Sequence, residues 1–131
     1  MDEPRWIRRE IVAIIHAQQL AEHGGSDGIR DPGMLDSALS RPLNLWAYSQ
    51  PKPDLAALAA SLAHGIAKNH PFVDGNKRTA WVLCRTLLLV NGVDIKAAQE
   101  EKYQAMYSLA AGELSEDAFA KWLREHLSTG D

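Results

Sequence analysis

The chain has 131 residues, 46% of them hydrophobic and 24% charged, with a formal net charge of −3. That length buries a core without disulfides or a structural metal, and suits one domain over residues 1–131. An acidic balance with no local basic patch argues against direct nucleic-acid binding, and the longest apolar run, Ala80 to Val90, is interrupted by Arg85 and too short to span a bilayer.

The opening decapeptide MDEPRWIRRE is charged throughout, so no secretory leader is expected. A first helix is predicted from Pro4 to Ala21, with Ile7, Ile11, Ile14 and Ile15 as its apolar stripe and Leu20 continuing it. His16 and His23 read as surface or packing residues, since no second His or carboxylate recurs at metal-ligand spacing. Gly24 to Gly33, GGSDGIRDPG, is a loop by composition. It is either a mobile segment bordering the active site or a cover that packs Ile29 and satisfies its backbone through Asp27 and Asp31; spacing favours the cover.

A second helix starts at Asp31 or Pro32, with Met34, Leu35, Ala38 and Leu39 on its apolar side, and stops at about Ser40, before Arg41-Pro42. Arg41 either ends beside a phosphate site or caps a helix. Leu43 to Asp54, with Trp46, Tyr48, Pro51 and Pro53, is an irregular connection with aromatic anchors. Asp54 then caps an alanine-rich helix from Leu55 to about Asn69, in which Leu55, Leu58, Leu62 and Ile66 step by three and four. His64 and Lys68 lie one turn apart on it and are expected to be exposed or partly covered.

The most informative stretch is HPFVDGNKRTAWVLCRTLLLVN, His70 to Asn91. A polar loop feeds an apolar run from Lys77 to Val90, too long for a strand and stopped by Asn91-Gly92, with Gly92 as a left-handed cap. This run reads as a helix buried on nearly all sides, the central rod of the domain. Cys84, the single cysteine, falls inside it as a small buried hydrophobe and fits a reduced, cytoplasmic setting. Unpaired N–H groups at the helix start, the dipole, and Lys77 and Arg78 together suit a phosphate.

Beyond it, Val93 to Ala98 is a connector. A helix from about Ala98 to Ala111 is expected to bury Tyr103, Met106, Tyr107 and Ala110. Ser115 caps a last helix to about Leu127, with Phe119, Trp122, Leu123 and Leu127 inward, and Ser128 to Asp131 should fray. The fold class is all-α: about six helices packed around one buried helix.

The nonapeptide from His70 to Arg78, HPFVDGNKR, resembles the signature of the Fic/Doc superfamily, and within it the Doc branch, H-x-F-x-[DN]-[AG]-N-K-R. GGSDGIRDPG resembles that family's Gly-rich loop, and the helix before the motif and the AAGE segment at Gly112 have counterparts, so the resemblance covers most of the chain. Fic enzymes that transfer AMP carry a Gly where this chain has Lys77, and a second Arg where it has Trp81. In Doc-like proteins the lysine goes with an inverted nucleotide that presents its γ-phosphate. The resemblance therefore implies a toxin of the death-on-curing type, using ATP and Mg²⁺ to phosphorylate a hydroxyl of elongation factor Tu and arrest translation. The alternatives are an AMP (nucleotidyl) transferase and a non-catalytic antitoxin-binding module. The self-inhibiting [ST]-x-x-x-E-[GN] string of many Fic proteins does not occur here, so an antitoxin acting in trans is expected, a disordered segment folding into an apolar groove.

The residue chemistry is coherent on its own terms. His70 is the candidate general base. Asp74, the only carboxylate on the loop, is the candidate Mg²⁺ ligand, directly or through water. Gly75 admits phosphate oxygens close to the backbone. Asn76 orients the loop or donates to a phosphate, and Lys77 and Arg78 neutralise the transferring group. Phe72 is read as a buried anchor.

Overall fold

A computed structural model describes residues 2–129. Among the described residues there are six helices, as the sequence predicts: α1 (Arg9–His23), α2 (Pro32–Tyr48), α3 (Leu55–Asn69), α4 (Asn76–Val90), α5 (Gln99–Ala110) and α6 (Glu116–His126). Three begin on side-chain caps. Asp31 accepts from the Met34 amide at 3.1 Å, Asp54 from Ala57 at 2.9 Å and Ser115 from Ala118 at 3.0 Å, each satisfying one otherwise orphaned N–H. Among the described residues, no helix is long and apolar enough to cross a membrane.

The innermost rod is α3 and not α4. Every residue from Leu58 to Ala63 is buried, because its many alanines and Gly65 let α2, α4 and α6 close around it. A Cβ at Gly65 would stand 3.2 Å from the Ala38 Cα and 2.8 Å from the Arg41 Cδ, so α2 and α3 meet there almost backbone to backbone. By contrast α4 is one-sided. Ala80, Leu83, Cys84, Leu87 and Leu88 face the core, while Arg85, Leu89 and Val90 face out. Full burial pushes the Cys84 thiol up to about 12, as befits a packing residue.

Four features depart from the sequence reading. Residues 4–8 are not helical. Asn91 clips them to the end of α4, its Oδ1 accepting from the Arg5 amide at 2.8 Å and its Nδ2 donating to the Arg5 carbonyl at 3.0 Å. The buried face of α1 is Val12, Ile15, His16 and Gln19, so Ile11 and Ile14 lie exposed instead of inward. Pro42 does not end α2. Pro42 is buried and lines a small apolar cleft with Trp6, Ile7, Leu62 and Leu87, so its burial offsets the one backbone hydrogen bond that proline cannot make. Finally, part of the connector after α4 and part of the supposedly frayed end are strands. β1 (Val93–Ile95) and β2 (Leu127–Thr129) pair antiparallel, Val93 opposite Thr129 and Ile95 opposite Leu127. Three-residue strands have too little period to be legible in a sequence. The remainder of the fraying prediction, residues 130–131, lies outside the described residues.

Candidate functional site

The loop between α3 and α4 is built by its own side chains. Asn76 closes it: its Oδ1 accepts from the Phe72 amide at 3.0 Å and its Nδ2 donates to the Phe72 carbonyl at 2.9 Å. Of the two roles open to Asn76, loop orientation therefore occupies most of its amide. Phe72 is the buried anchor expected of it, and its ring stacks on His16 with centroids 3.8 Å apart. The His16 Nε2 lies 2.9 Å from the main-chain oxygen of Asp74. Gly75 caps α4 with φ +75, a left-handed conformation that a β-carbon strains.

The glycine-rich loop borders this one. Val73 donates to the Gly28 carbonyl at 3.0 Å, and Ile29 and Phe72 form an isolated antiparallel bridge. Of the two sequence readings, the position agrees with a segment bordering the site, while Ile29 is exposed and packs little. Asp31 does serve backbone as expected, and Asp27 accepts from the Gly28 amide at 2.8 Å.

His70, Asp74, Gly75, Asn76, Lys77 and Arg78 all line one cavity of about 770 Å³. That size is in the range of small-molecule sites. The residues singled out by sequence are thus brought together. His70 is exposed at the α3 end, and the N–H groups of the first turn of α4 sit beside the cationic pair. Among the described residues, no carboxylate forms an ion pair with Lys77 or Arg78, and Asp74 is the only carboxylate lining the cavity. The site is cationic on an acidic chain.

Asp74 can test the proposed metal. Its Oδ1 accepts from the Gly75 amide at 2.9 Å and its Oδ2 from the Ser26 amide at 3.3 Å, which leaves lone pairs on both oxygens. No group of three His, Cys, Asp or Glu side chains among the described residues could cage an ion. A lone exposed carboxylate suits Mg²⁺, which keeps several waters and leans on substrate phosphates.

The opposite wall of the cavity is one that sequence reading missed. Tyr103 and Tyr107 of α5 were expected in the core, yet they are 65% and 44% exposed and line the cavity with Lys102 and Met106. The Lys77 Nζ stands 5.1 Å above the Tyr107 ring. At spacing i, i+4 a tyrosine pair on a helix looks the same whether it faces a core or a cavity. His16 is a packing residue, one of the two roles its sequence allows, but its helix shows nothing of the loop it supports.

Arg41, His64 and Lys68 do not line the cavity. Arg41 pairs with Glu116 and donates from Nε to the Ser61 carbonyl at 3.3 Å, joining α2, α3 and α6. His64 is half-buried, and that burial lowers its pKa below the ordinary imidazole range. Lys68 is exposed near Gly112.

Comparison with known proteins shows the family. A model of the Fic/DOC family matches residues 6–88. The chain is similar to a protein named Toxin Doc from Mycolicibacterium smegmatis, 45% identical over 74 residues, covering 56% of this chain and only 57% of that protein. It is also similar to one named Protein kinase doc from Escherichia phage P1, 31% identical over 120 residues, covering 92% of this chain and 94% of that one.

Proposed function

The chain belongs to the Fic/DOC family, and from that premise we propose that it is a Doc-type toxin transferring the γ-phosphate of ATP to a Ser/Thr hydroxyl of a translation factor resembling elongation factor Tu. The observation that carries this reading is the one cavity shared by an exposed His70 and the cations Lys77 and Arg78 at the start of α4, which meet no carboxylate partner among the described residues. The phage relative's name, a protein kinase, supports the reaction class.

In this reading His70 takes the proton of the target hydroxyl as its oxygen bonds to the γ-phosphorus. The bond from that phosphorus to the bridging oxygen breaks, and ADP leaves. Lys77, Arg78 and the first-turn N–H groups balance the negative charge on the transferring group, the main task of a protein in phosphoryl transfer. Asp74 would hold Mg²⁺, which supplies further charge neutralisation at the phosphates. The Lys77 side chain projects over Tyr107, within the cavity where AMP-transferring relatives are expected to have only a glycine, and this favours γ- over α-phosphate chemistry. A partner antitoxin, one domain over residues 1–131 and action in the cytoplasm belong to the same reading.

The test is incubation with ATP labelled at either the α or the γ position and a translating extract or purified elongation factor Tu. Label from the γ position on the target supports the kinase; label from the α position makes the protein an AMP transferase. Growth arrest that survives His70→Ala would make it a non-catalytic binding module.

A further inference from the structure

Arg30 reaches from the glycine-rich loop to the end of α3. Its Nε donates to the His70 carbonyl at 2.6 Å and its Nη2 to the Asn69 carbonyl at 2.7 Å. The main-chain N–H groups of Arg30 and Asp31 both donate to the Pro71 carbonyl, at 2.8 and 3.1 Å. Three successive carbonyls, 69 to 71, are thus received by two adjacent residues.

The grip matters because of what His70 is made to do. It is the one non-glycine residue with positive φ among those described, at φ 47 and ψ 55. A β-carbon disfavours that conformation, and the following Pro71 drives its predecessor toward extended backbone. Left alone, the chain would rotate at residue 70 and carry the imidazole away from the cavity. Nor is the ring held by a partner of its own: no described residue hydrogen-bonds the His70 side chain. A general base is commonly oriented by a third group on its far nitrogen. Here the direction of the ring rests on the backbone beneath it.

We infer that Arg30 is a positioning residue that holds the His70 backbone in its left-handed state and so aims the imidazole into the cavity. Arg30 does not itself line the cavity, so it acts through His70 and not on substrate. The planar guanidinium suits the task, since its fork spans two carbonyls that a lysine ammonium meets singly, and its charge complements the carboxyl end of α3. The inference rests on His70 as the general base.

A double-mutant cycle under single-turnover conditions tests it, reading γ-phosphate transfer to the target identified above. Arg30→Ala should lower the maximal rate about 10- to 100-fold, with half-saturation by ATP changed less than about twofold. Arg30→Lys should fall between, which keeps the test alive if the alanine variant folds poorly. In a His70→Ala background, Arg30→Ala should change the residual rate by less than about twofold, because the group it positions is gone. An unchanged maximal rate in Arg30→Ala, with His70→Ala inactive, overturns the inference and leaves the base assignment standing. An equal further loss in both backgrounds also overturns it, marking Arg30 as a general clip. Wild-type activity in His70→Ala overturns the base assignment and the inference together.

Discussion

The Nε2 of His16 points at the main-chain oxygen of Asp74, 2.9 Å away, while the same imidazole lies flat on Phe72. A carbonyl only accepts, so Nε2 carries the proton in this contact. One side chain of α1 thereby fixes both the anchor of the motif loop and the residue before the turn into α4. His16→Ala removes a stacked pair and a hydrogen bond and opens a buried void. We expect a loss of about 2–4 kcal/mol, read as a lower urea midpoint at unchanged slope. Activity should fall even at temperatures where the variant is fully folded. A variant as stable and active as the wild type would show that the loop sets itself.

Tyr107 offers Lys77 a ring face at 5.1 Å. A cation over an exposed aromatic contributes about 0.5–1 kcal/mol. Tyr107→Phe keeps the face and should leave phosphate transfer unchanged. Tyr107→Leu frees the ammonium and should slow transfer roughly two- to fivefold. Equal rates in the phenylalanine and leucine variants would remove the ring from the mechanism.

Arg85 and Asp94 tie α4 to β1 with two hydrogen bonds of 3.0 Å. The Arg85 guanidinium, helped by the Ile95 amide and opposed by partial burial, holds the Asp94 carboxyl at about 2 against an ordinary 3.8. Its folded pKa is depressed, so the stabilisation is present above about pH 4 and is lost as pH falls through about 2. The pair is half open to solvent, which limits its worth to about 0.5–1 kcal/mol. Asp94→Asn should cost that much at pH 7 and progressively less as pH falls from 4 through about 2, and added salt should shrink the difference. A penalty of the same size at pH 7 and pH 2 would point to packing instead of charge.

Gly65 lies where α2 crosses α3. Gly65→Ala gains about 1 kcal/mol of helix propensity but must move Ala38 or Arg41, at 3.2 and 2.8 Å from the new Cβ. Overpacking of this kind costs about 1–3 kcal/mol, so thermal unfolding should shift down by several degrees. A raised melting temperature would mean that the crossing is looser than its geometry.

Much of this protein was written in the chain because the signals are local. Asp54, Ser115 and the alanine run from Ala56 to Ala63 define helices wherever they are placed. HPFVDGNKR carries its own loop chemistry, and its residues other than the buried Pro71 and Phe72 do meet in one cavity at the helix start. What a period of 3.6 cannot reveal is the direction in which a helix face points. Periodicity places Tyr103 and Tyr107 inward, yet they line the cavity; it makes Ile11 and Ile14 part of an apolar stripe, yet they face out; and the longest apolar run belongs to α4, yet α3 is the innermost rod. Helix continuity through Pro42, the pairing of Val93–Ile95 with Leu127–Thr129, and the reach of Arg30 to His70 across 40 positions depend on partners remote in sequence. Short-range hydrogen bonds and propensities specify elements from their own residues. Only packing brings distant side chains into contact, and those contacts decide which faces are buried and how the site is held.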